Sequence, residues 1–139
     1  MSRGKRISFQ ILFCLYVAVV LFLCFGHFNN TPSVPRSLLG IPTDKLVHFT
    51  MFFPFPILAY LAFDRFTESV KGTLLFVGVT FVIGLMLAYG TEWGQAHLTR
   101  YRSGDSFDLL ADSLALLLSS IIVAVIDIAK QRRLTNVND

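Results

Sequence analysis

The hydrophobic positions of the chain fall into four long runs separated by short polar segments. Three runs hold at least 18 consecutive residues without Asp, Glu, Lys or Arg, and the fourth has an uncharged centre between Asp112 and Asp127. Such runs are typical of transmembrane helices, and four of them leave no polar face for a helix hairpin buried in a soluble protein. We predict an all-α, integral membrane four-helix bundle. It forms one domain over residues 1–139, with spans at about residues 7–28, 46–63, 72–93 and 109–129.

Proline and small residues inside these runs predict how the helices bend and pack. Pro54 and Pro56 are expected to kink the second span, because proline lacks the N–H group that a helix interior requires. Gly84 and Ala88 in the third span, and a stripe of small residues around Ala115 in the fourth, are expected to let two helices approach closely. We expect this stripe to serve packing rather than ligand binding.

Composition agrees with a membrane protein. The chain is 54% hydrophobic and 15% charged, with a mean hydropathy of +0.63, whereas soluble domains carry about 25% charged residues. The first run is longer than the hydrophobic segment of a secretory signal, which has about 7–15 residues. We therefore expect an uncleaved first span.

The distribution of lysine and arginine predicts that both termini are cytoplasmic, because these residues are enriched in cytoplasmic loops. Eight of the twelve lie at the two termini and in the middle loop, and four lie in the other two loops. The inverted orientation stays open, since those two loops are not free of arginine. The distribution accounts for the net charge of +3 without nucleic acid as a partner.

Polar residues gather at the ends of the spans that face the extracytoplasmic side in this orientation. Asp44, Lys45 and His48 open the second span, and their spacing places His48 on one helix face with the other two. We expect Asp44 to cap the helix and to orient His48. His48 is then either a proton carrier or headgroup donor, or simply a satisfied histidine at the membrane interface.

Glu92 and Gln95 close the third span. An acidic residue near hydrocarbon normally faces the bundle interior and pairs with another group. A structural ion pair and a functional carboxylate are both open. We predict that Glu92, Arg102 and Asp108 lie within contact distance of one another.

Asp105, Asp108 and Asp112 follow at helical spacing and are expected to share one helix face. Three like charges repel unless a cation or protons intervene. Arg102 is the nearest cation in sequence, and a divalent metal such as magnesium or calcium is the alternative. Because the carboxylate spacing alone is a weak metal signal and no tight ligand motif joins the three histidines, we assign no metal ligand and no cofactor.

These motifs form an ordered pattern over residues 44–118, and the pattern resembles the VanZ-like family of small bacterial membrane proteins. The pieces are Asp44-Lys45-x-x-His48-Phe49, Glu92-x-x-Gln95 and Arg102-x-x-Asp105-x-x-Asp108-x-x-x-Asp112. The chain departs from the family pattern at Asp112 and Ala115, where the family has Asn and Gly. The resemblance implies a bacterial inner-membrane protein with a cell-envelope role, in a family named for a protein linked to resistance to the glycopeptide teicoplanin.

Three functions compete. In the first, which we favour, the protein binds an anionic headgroup of a membrane lipid or lipid-linked envelope precursor through Lys45, Arg100 and Arg102. In the second, it is an enzyme acting on a lipid-linked phosphate or ester, with His48 or Glu92 as general base and Asp108 as the group that orients it. A transporter is disfavoured because the span centres are apolar.

The candidate ligand-binding residues are the polar residues of the three motifs. The sequence leaves the oligomeric state open. The set is Asp44, Lys45, His48, Glu92, Gln95, Arg102, Asp105, Asp108 and Asp112.

Overall fold

The computed structural model describes residues 3–26, 37–38, 40–99 and 105–138, and the protein is all-α apart from one small hairpin. The helices are α1 (Arg3–Phe25), α2 (Thr43–Phe52), α3 (Pro54–Ala62), α4 (Val70–Leu98) and α5 (Ser106–Asn138). A 3₁₀ turn at Asp64–Phe66 precedes α4. The hairpin pairs β1 (Ser37–Leu38) with β2 (Ile41–Pro42) directly before α2.

The four predicted spans are confirmed as helices, with different bounds. The second span is α2 followed by α3, and α4 and α5 extend well beyond the apolar runs. The apolar run marks the part of a helix suited to hydrocarbon, whereas the helix itself ends where its backbone is capped. The side chain of Ser69 accepts a hydrogen bond from the Gly72 amide at the start of α4. Residues 27 and 28 of the first predicted span lie outside the described residues.

Among the described residues, four helical segments are long and apolar enough to cross a membrane: α1, α2 with α3, α4, and α5 as far as residue 136. Within their apolar stretches only 11 to 33% of the residues are buried. Most apolar side chains therefore face outward, as expected of helices surrounded by lipid.

The contact between α4 and α5 depends on small residues, as predicted. A Cβ atom on Gly84 would lie 2.6 Å from Cδ2 of Leu116, so the glycine permits this close approach. Ala88 and Ala115 are fully buried in the same core. In lipid, such close packing replaces the hydrophobic effect as the force that associates helices.

The second span has a break in its regular helical hydrogen bonding at Phe53, between α2 and α3, but Phe53 keeps helical backbone angles, and the kink itself stays a prediction. Pro54 begins α3, at a position where its missing N–H costs little. The hydroxyl of Tyr16 on α1 donates a hydrogen bond to the carbonyl of Met51 beside the break. The break separates α2, which packs mainly on α5, from α3, which packs mainly on α1.

Candidate functional site

Seven of the nine predicted site residues come together at one end of the bundle, where α2 begins, α4 ends and α5 begins. They form what we call the His48 cluster: Asp44, Lys45, His48, Glu92, Asp105, Asp108 and Asp112.

His48 lies at the centre of this cluster and is held by Asp112. Its Nδ1 atom is 3.2 and 3.3 Å from the two carboxylate oxygens of Asp112. His48 is buried, and Asp112 has no exposed surface. The expectation that Asp44 caps α2 and orients His48 is wrong. The helix begins at Thr43, its N-cap position is Pro42, and Asp44 is an exposed residue of the first turn.

Lys45 binds three carboxylates. Its Nζ atom is 2.6 Å from Asp108 Oδ1 and 3.0 Å from Asp44 Oδ2, and it also contacts Asp105 Oδ2. The hydrogen bond from Lys45 lowers the pKa of the Asp105 carboxyl, with a second contribution from the Phe107 amide. Among the described residues, the hydrogen-bond partners of the Lys45 ammonium are thus all carboxylates of the cluster.

Glu92 connects α4 to the beginning of α5. Its Oε2 atom accepts a hydrogen bond of 3.0 Å from the Asp105 amide. The Asp105 side chain in turn accepts a hydrogen bond of 2.9 Å from the Phe107 amide and thereby caps the beginning of α5. The other oxygen, Glu92 Oε1, is fully buried, lies 3.6 Å from His48 Nδ1 and has no hydrogen-bond partner among the described residues.

The predicted proximity of Glu92 and Asp108 is confirmed. One ring nitrogen of His48, one oxygen of Glu92 and one oxygen of Asp108 all lie within 4.8 Å of one another. Arg102, the third member of that prediction, lies outside the described residues. The predicted common face of Asp105, Asp108 and Asp112 is also confirmed, because all three side chains meet Lys45 or His48 on α2.

Gln95 does not join the His48 cluster. Its side-chain amide donates a hydrogen bond of 2.9 Å to the carbonyl of Cys24 and ties α4 to the end of α1. Gly94 lies beside this contact, and a Cβ atom there would come within 2.7 Å of the Phe25 ring.

The described part of the site carries a large excess of acidic groups. The cluster holds five carboxylates against one ammonium, that of Lys45, and one imidazole, that of His48. Lys45 forms ion pairs with Asp44, Asp105 and Asp108. The carboxylates of Glu92 and Asp112 lie next to His48 instead. An uncompensated buried carboxylate is costly, so this arrangement favours a further cation.

An apolar groove of about 680 Å³ runs beside the cluster between α2 and α5. Its wall includes Phe49 on α2 and Phe107, Leu110 and Ala111 on α5, and one of its lining residues is Lys45. The groove is therefore apolar along its length and has a residue of the His48 cluster in its wall.

A second polar cluster, the Asp127 cluster, lies at the opposite end of the bundle and was missed by the sequence analysis. Asp127 Oδ1 accepts a hydrogen bond of 2.7 Å from the Tyr60 hydroxyl. Asp127 Oδ2 accepts one of 2.6 Å from the Thr73 hydroxyl and one of 2.9 Å from the Gln131 side-chain amide. Gln131 also donates to the carbonyl of Thr67. Asp127 itself could have indicated this cluster. It is an acidic residue at the end of an apolar run, and acidic residues in membrane helices normally pair with other groups.

Comparison with known proteins identifies a relative in yeast. The chain is similar to an uncharacterized protein of the fission yeast Schizosaccharomyces pombe, with 33% identity over 109 residues. The aligned region covers 76% of this chain and 61% of the yeast protein, so the chain matches about three fifths of its relative's length. No family model matches the chain, and no solved structure matches it. The four apolar helical segments indicate a multi-pass membrane protein. The sequence comparison adds that a similar protein occurs in a eukaryote.

Proposed function

We propose that this protein is a multi-pass cell-envelope membrane protein that binds the headgroup of a membrane lipid or lipid-linked precursor at the His48 cluster. The acyl chain of the lipid lies in the groove between α2 and α5. One observation carries the proposal: the apolar groove has Lys45 of the polar cluster in its wall. A lipid has the matching arrangement, because its apolar acyl chain ends in a polar headgroup.

The position of the cluster along the helices supports this proposal. Lys45 lies in the first turn of α2, and Asp105 directly precedes α5. Residues at span ends meet the headgroup layer of a bilayer, while the middle of each span meets acyl chains. A lipid with its chain in the groove would have its headgroup at the level of the cluster.

The resemblance to the VanZ-like family rests on residues of the same cluster, and we propose membership on that ground. It is also the sole ground on which we assign a bacterial cytoplasmic membrane and a link to glycopeptide tolerance. With both termini cytoplasmic, the His48 cluster faces the extracytoplasmic side and the Asp127 cluster faces the cytoplasm.

Lipid analysis of the purified protein tests the binding proposal. We would extract the protein from membranes with a nanodisc-forming polymer and compare its lipids with the bulk membrane by mass spectrometry. We expect one lipid class to be enriched. The substitution Ala111→Trp fills the groove and should reduce that enrichment by about tenfold, equivalent to roughly 1.4 kcal/mol of binding free energy. Ala18→Trp, on an exposed position of α1, is the matched control. Lipids identical to the bulk membrane would contradict the proposal.

Cysteine labelling tests the orientation. His97 and Glu68 are both exposed and flank the two ends of α4. In intact spheroplasts, an impermeant thiol reagent should label His97→Cys and leave Glu68→Cys unlabelled until the cells are opened. The reverse pattern would establish the inverted topology.

A membrane enzyme acting on a lipid-linked phosphate or ester is the second candidate. The pairing of His48 Nδ1 with the buried Asp112 favours it, because a carboxylate that holds one imidazole nitrogen leaves the other to act as a general base. The free nitrogen, Nε2, lies 3.7 Å from Asp108 Oδ2. Incubation with a lipid extract should then yield a substrate and product pair that is absent with His48→Gln and present with His97→Gln.

A further inference from the structure

Two carboxylates of the His48 cluster each use one oxygen for the fold and turn the other toward the histidine. Glu92 Oε2 accepts a hydrogen bond from the Asp105 amide, and Asp108 Oδ1 accepts one from the Lys45 ammonium. The remaining oxygens are Glu92 Oε1, 3.6 Å from His48 Nδ1, and Asp108 Oδ2, 3.7 Å from His48 Nε2. One ring nitrogen, one Glu92 oxygen and one Asp108 oxygen all lie within 4.8 Å of one another, so three potential ligand atoms of different side chains surround one small volume.

The Glu92 side chain supplies an independent sign of a missing partner. It is 7% exposed, and its Oε1 atom is fully buried without a hydrogen bond among the described residues. Leaving a buried carboxylate oxygen unpaired costs the desolvation free energy of that atom. The unpaired atom lies 3.6 Å from His48 Nδ1, on the side of the cluster's histidine.

Asp112 gives His48 the arrangement that metal-binding histidines usually have. A ligating imidazole commonly donates its other N–H to a carboxylate, which fixes the ring and strengthens the ligand. Asp112 is within 3.3 Å of Nδ1 and is completely buried, so it can hold the ring in one orientation. Nε2 then keeps its lone pair on the side of Asp108.

A second group of three carboxylates in the cluster differs in one respect. Asp44, Asp105 and Asp108 also lie within 4.8 Å of one another, but Lys45 Nζ contacts all three. An ammonium therefore already lies among the three members of that group. In the group of His48, Glu92 and Asp108, Lys45 contacts only Asp108, through Oδ1, and no cation among the described residues contacts Glu92 Oε1 apart from the His48 ring when protonated.

We propose that His48, Glu92 and Asp108 bind one divalent first-row transition ion of the Zn²⁺ or Mn²⁺ type. An imidazole with two carboxylates suits these ions, and three protein ligands leave a coordination position open. This inference rests on the proposed lipid function and deepens it, because the open position accepts a phosphate oxygen of the headgroup. The ion thereby explains how a site with five carboxylates binds an anionic group.

Titration of the purified, chelator-treated protein with Zn²⁺ and with Mn²⁺ tests the proposal. Calorimetry should show one ion bound per chain. His48→Gln and Glu92→Gln should weaken binding by more than about 100-fold, the upper range for loss of a mere supporting partner. Asp112→Asn should weaken it by no more than about tenfold, because the amide oxygen still accepts from the imidazole N–H. The matched controls His97→Gln and Glu68→Gln alter exposed residues by the same chemical change and should bind as the wild type does.

Absence of stoichiometric binding by both ions, or equal binding in His48→Gln and the wild type, would overturn the metal site. If a ligand variant does not fold, X-ray absorption of the Zn²⁺-loaded wild type replaces it. One imidazole in the first coordination sphere supports the site, and its absence refutes it.

Lipid retention separates the two proposals. An enriched lipid that survives chelation would refute the metal bridge and keep lipid binding, whereas one bound ion without any enriched lipid would keep the metal site and refute the lipid.

Discussion

The His48 cluster and the Asp127 cluster both surround a buried aspartate of α5, and they satisfy it in opposite ways. Asp127 is 2% exposed and accepts hydrogen bonds from three uncharged donors, those of Tyr60, Thr73 and Gln131. Asp112 is 0% exposed, and its contact is with His48, which also faces two further carboxylates.

This difference separates a cluster whose hydrogen bonds are complete from the cluster to which we assign a ligand in our proposals. In the Asp127 cluster both carboxylate oxygens have donors, so the network is complete within the protein. In the His48 cluster the acceptors outnumber the donors, and Glu92 Oε1 has no partner among the described residues. Buried polar groups are nearly always hydrogen-bonded, and we propose that the bound ion is the partner of Glu92 Oε1.

The largest effect is expected at the complete network. Asp127→Ala removes the acceptor of the Tyr60 hydroxyl, whereas Thr73 and Gln131 keep the carbonyls of Ser69 and Thr67 as acceptors. One unsatisfied donor costs about 1–3 kcal/mol, and the free energy of unfolding should fall by about that amount. Reversible unfolding in mixed detergent measures this, with the exposed Glu68→Ala as control. A loss below about 1 kcal/mol would mean that the Asp127 cluster does not hold the fold.

A smaller effect of opposite sign is expected at the incomplete cluster. Glu92→Gln keeps an acceptor for the Asp105 amide and removes one of the negative charges around His48. The metal-free protein should then unfold with a free energy equal to that of the wild type or up to about 1 kcal/mol higher, since functional sites sacrifice stability. The same unfolding assay measures it. A loss of more than about 2 kcal/mol would place Glu92 with Asp127 as a stabilising residue.

The smallest effect is expected from the exposed edge of the His48 cluster, and it depends on pH. Lys45 holds the pKa of Asp105 below its usual value, so the folded state favours the ionised carboxyl. Its contribution to stability is present at neutral pH and is lost as the pH falls through the folded-state pKa.

Asp105→Asn isolates this contribution, because asparagine can also cap α5. The wild type should be the more stable of the two at pH 7, and the difference should close below about pH 4. Thermal unfolding at a series of pH values measures the difference. A gap that stays constant from pH 7 to pH 3 would show that the Lys45 contact does not depend on the charge of Asp105.

Local patterns predicted the spans and the end of the bundle where polar residues gather. Apolar length and the missing N–H of Pro54 act within one helix, so their consequences can be deduced from the chain alone. The same holds for Asp105, Asp108 and Asp112, whose common face follows from helical spacing. The role of Gln95 could not be deduced, because its partner is the Cys24 carbonyl on a helix 71 residues away.

The sequence by itself thus determined that four helices form and at which end their charges lie, since both depend on neighbouring residues. Only the tertiary structure decided which charges meet. His48 is four residues from Asp44 yet pairs with Asp112, 64 residues away. Asp127 likewise finds Thr73 at a distance of 54 residues. The physical reason is that the close packing of helices, such as that of Gly84 against Leu116, sets how far each helix is rotated about its own axis. That rotation selects the side chains that face one another in the interior.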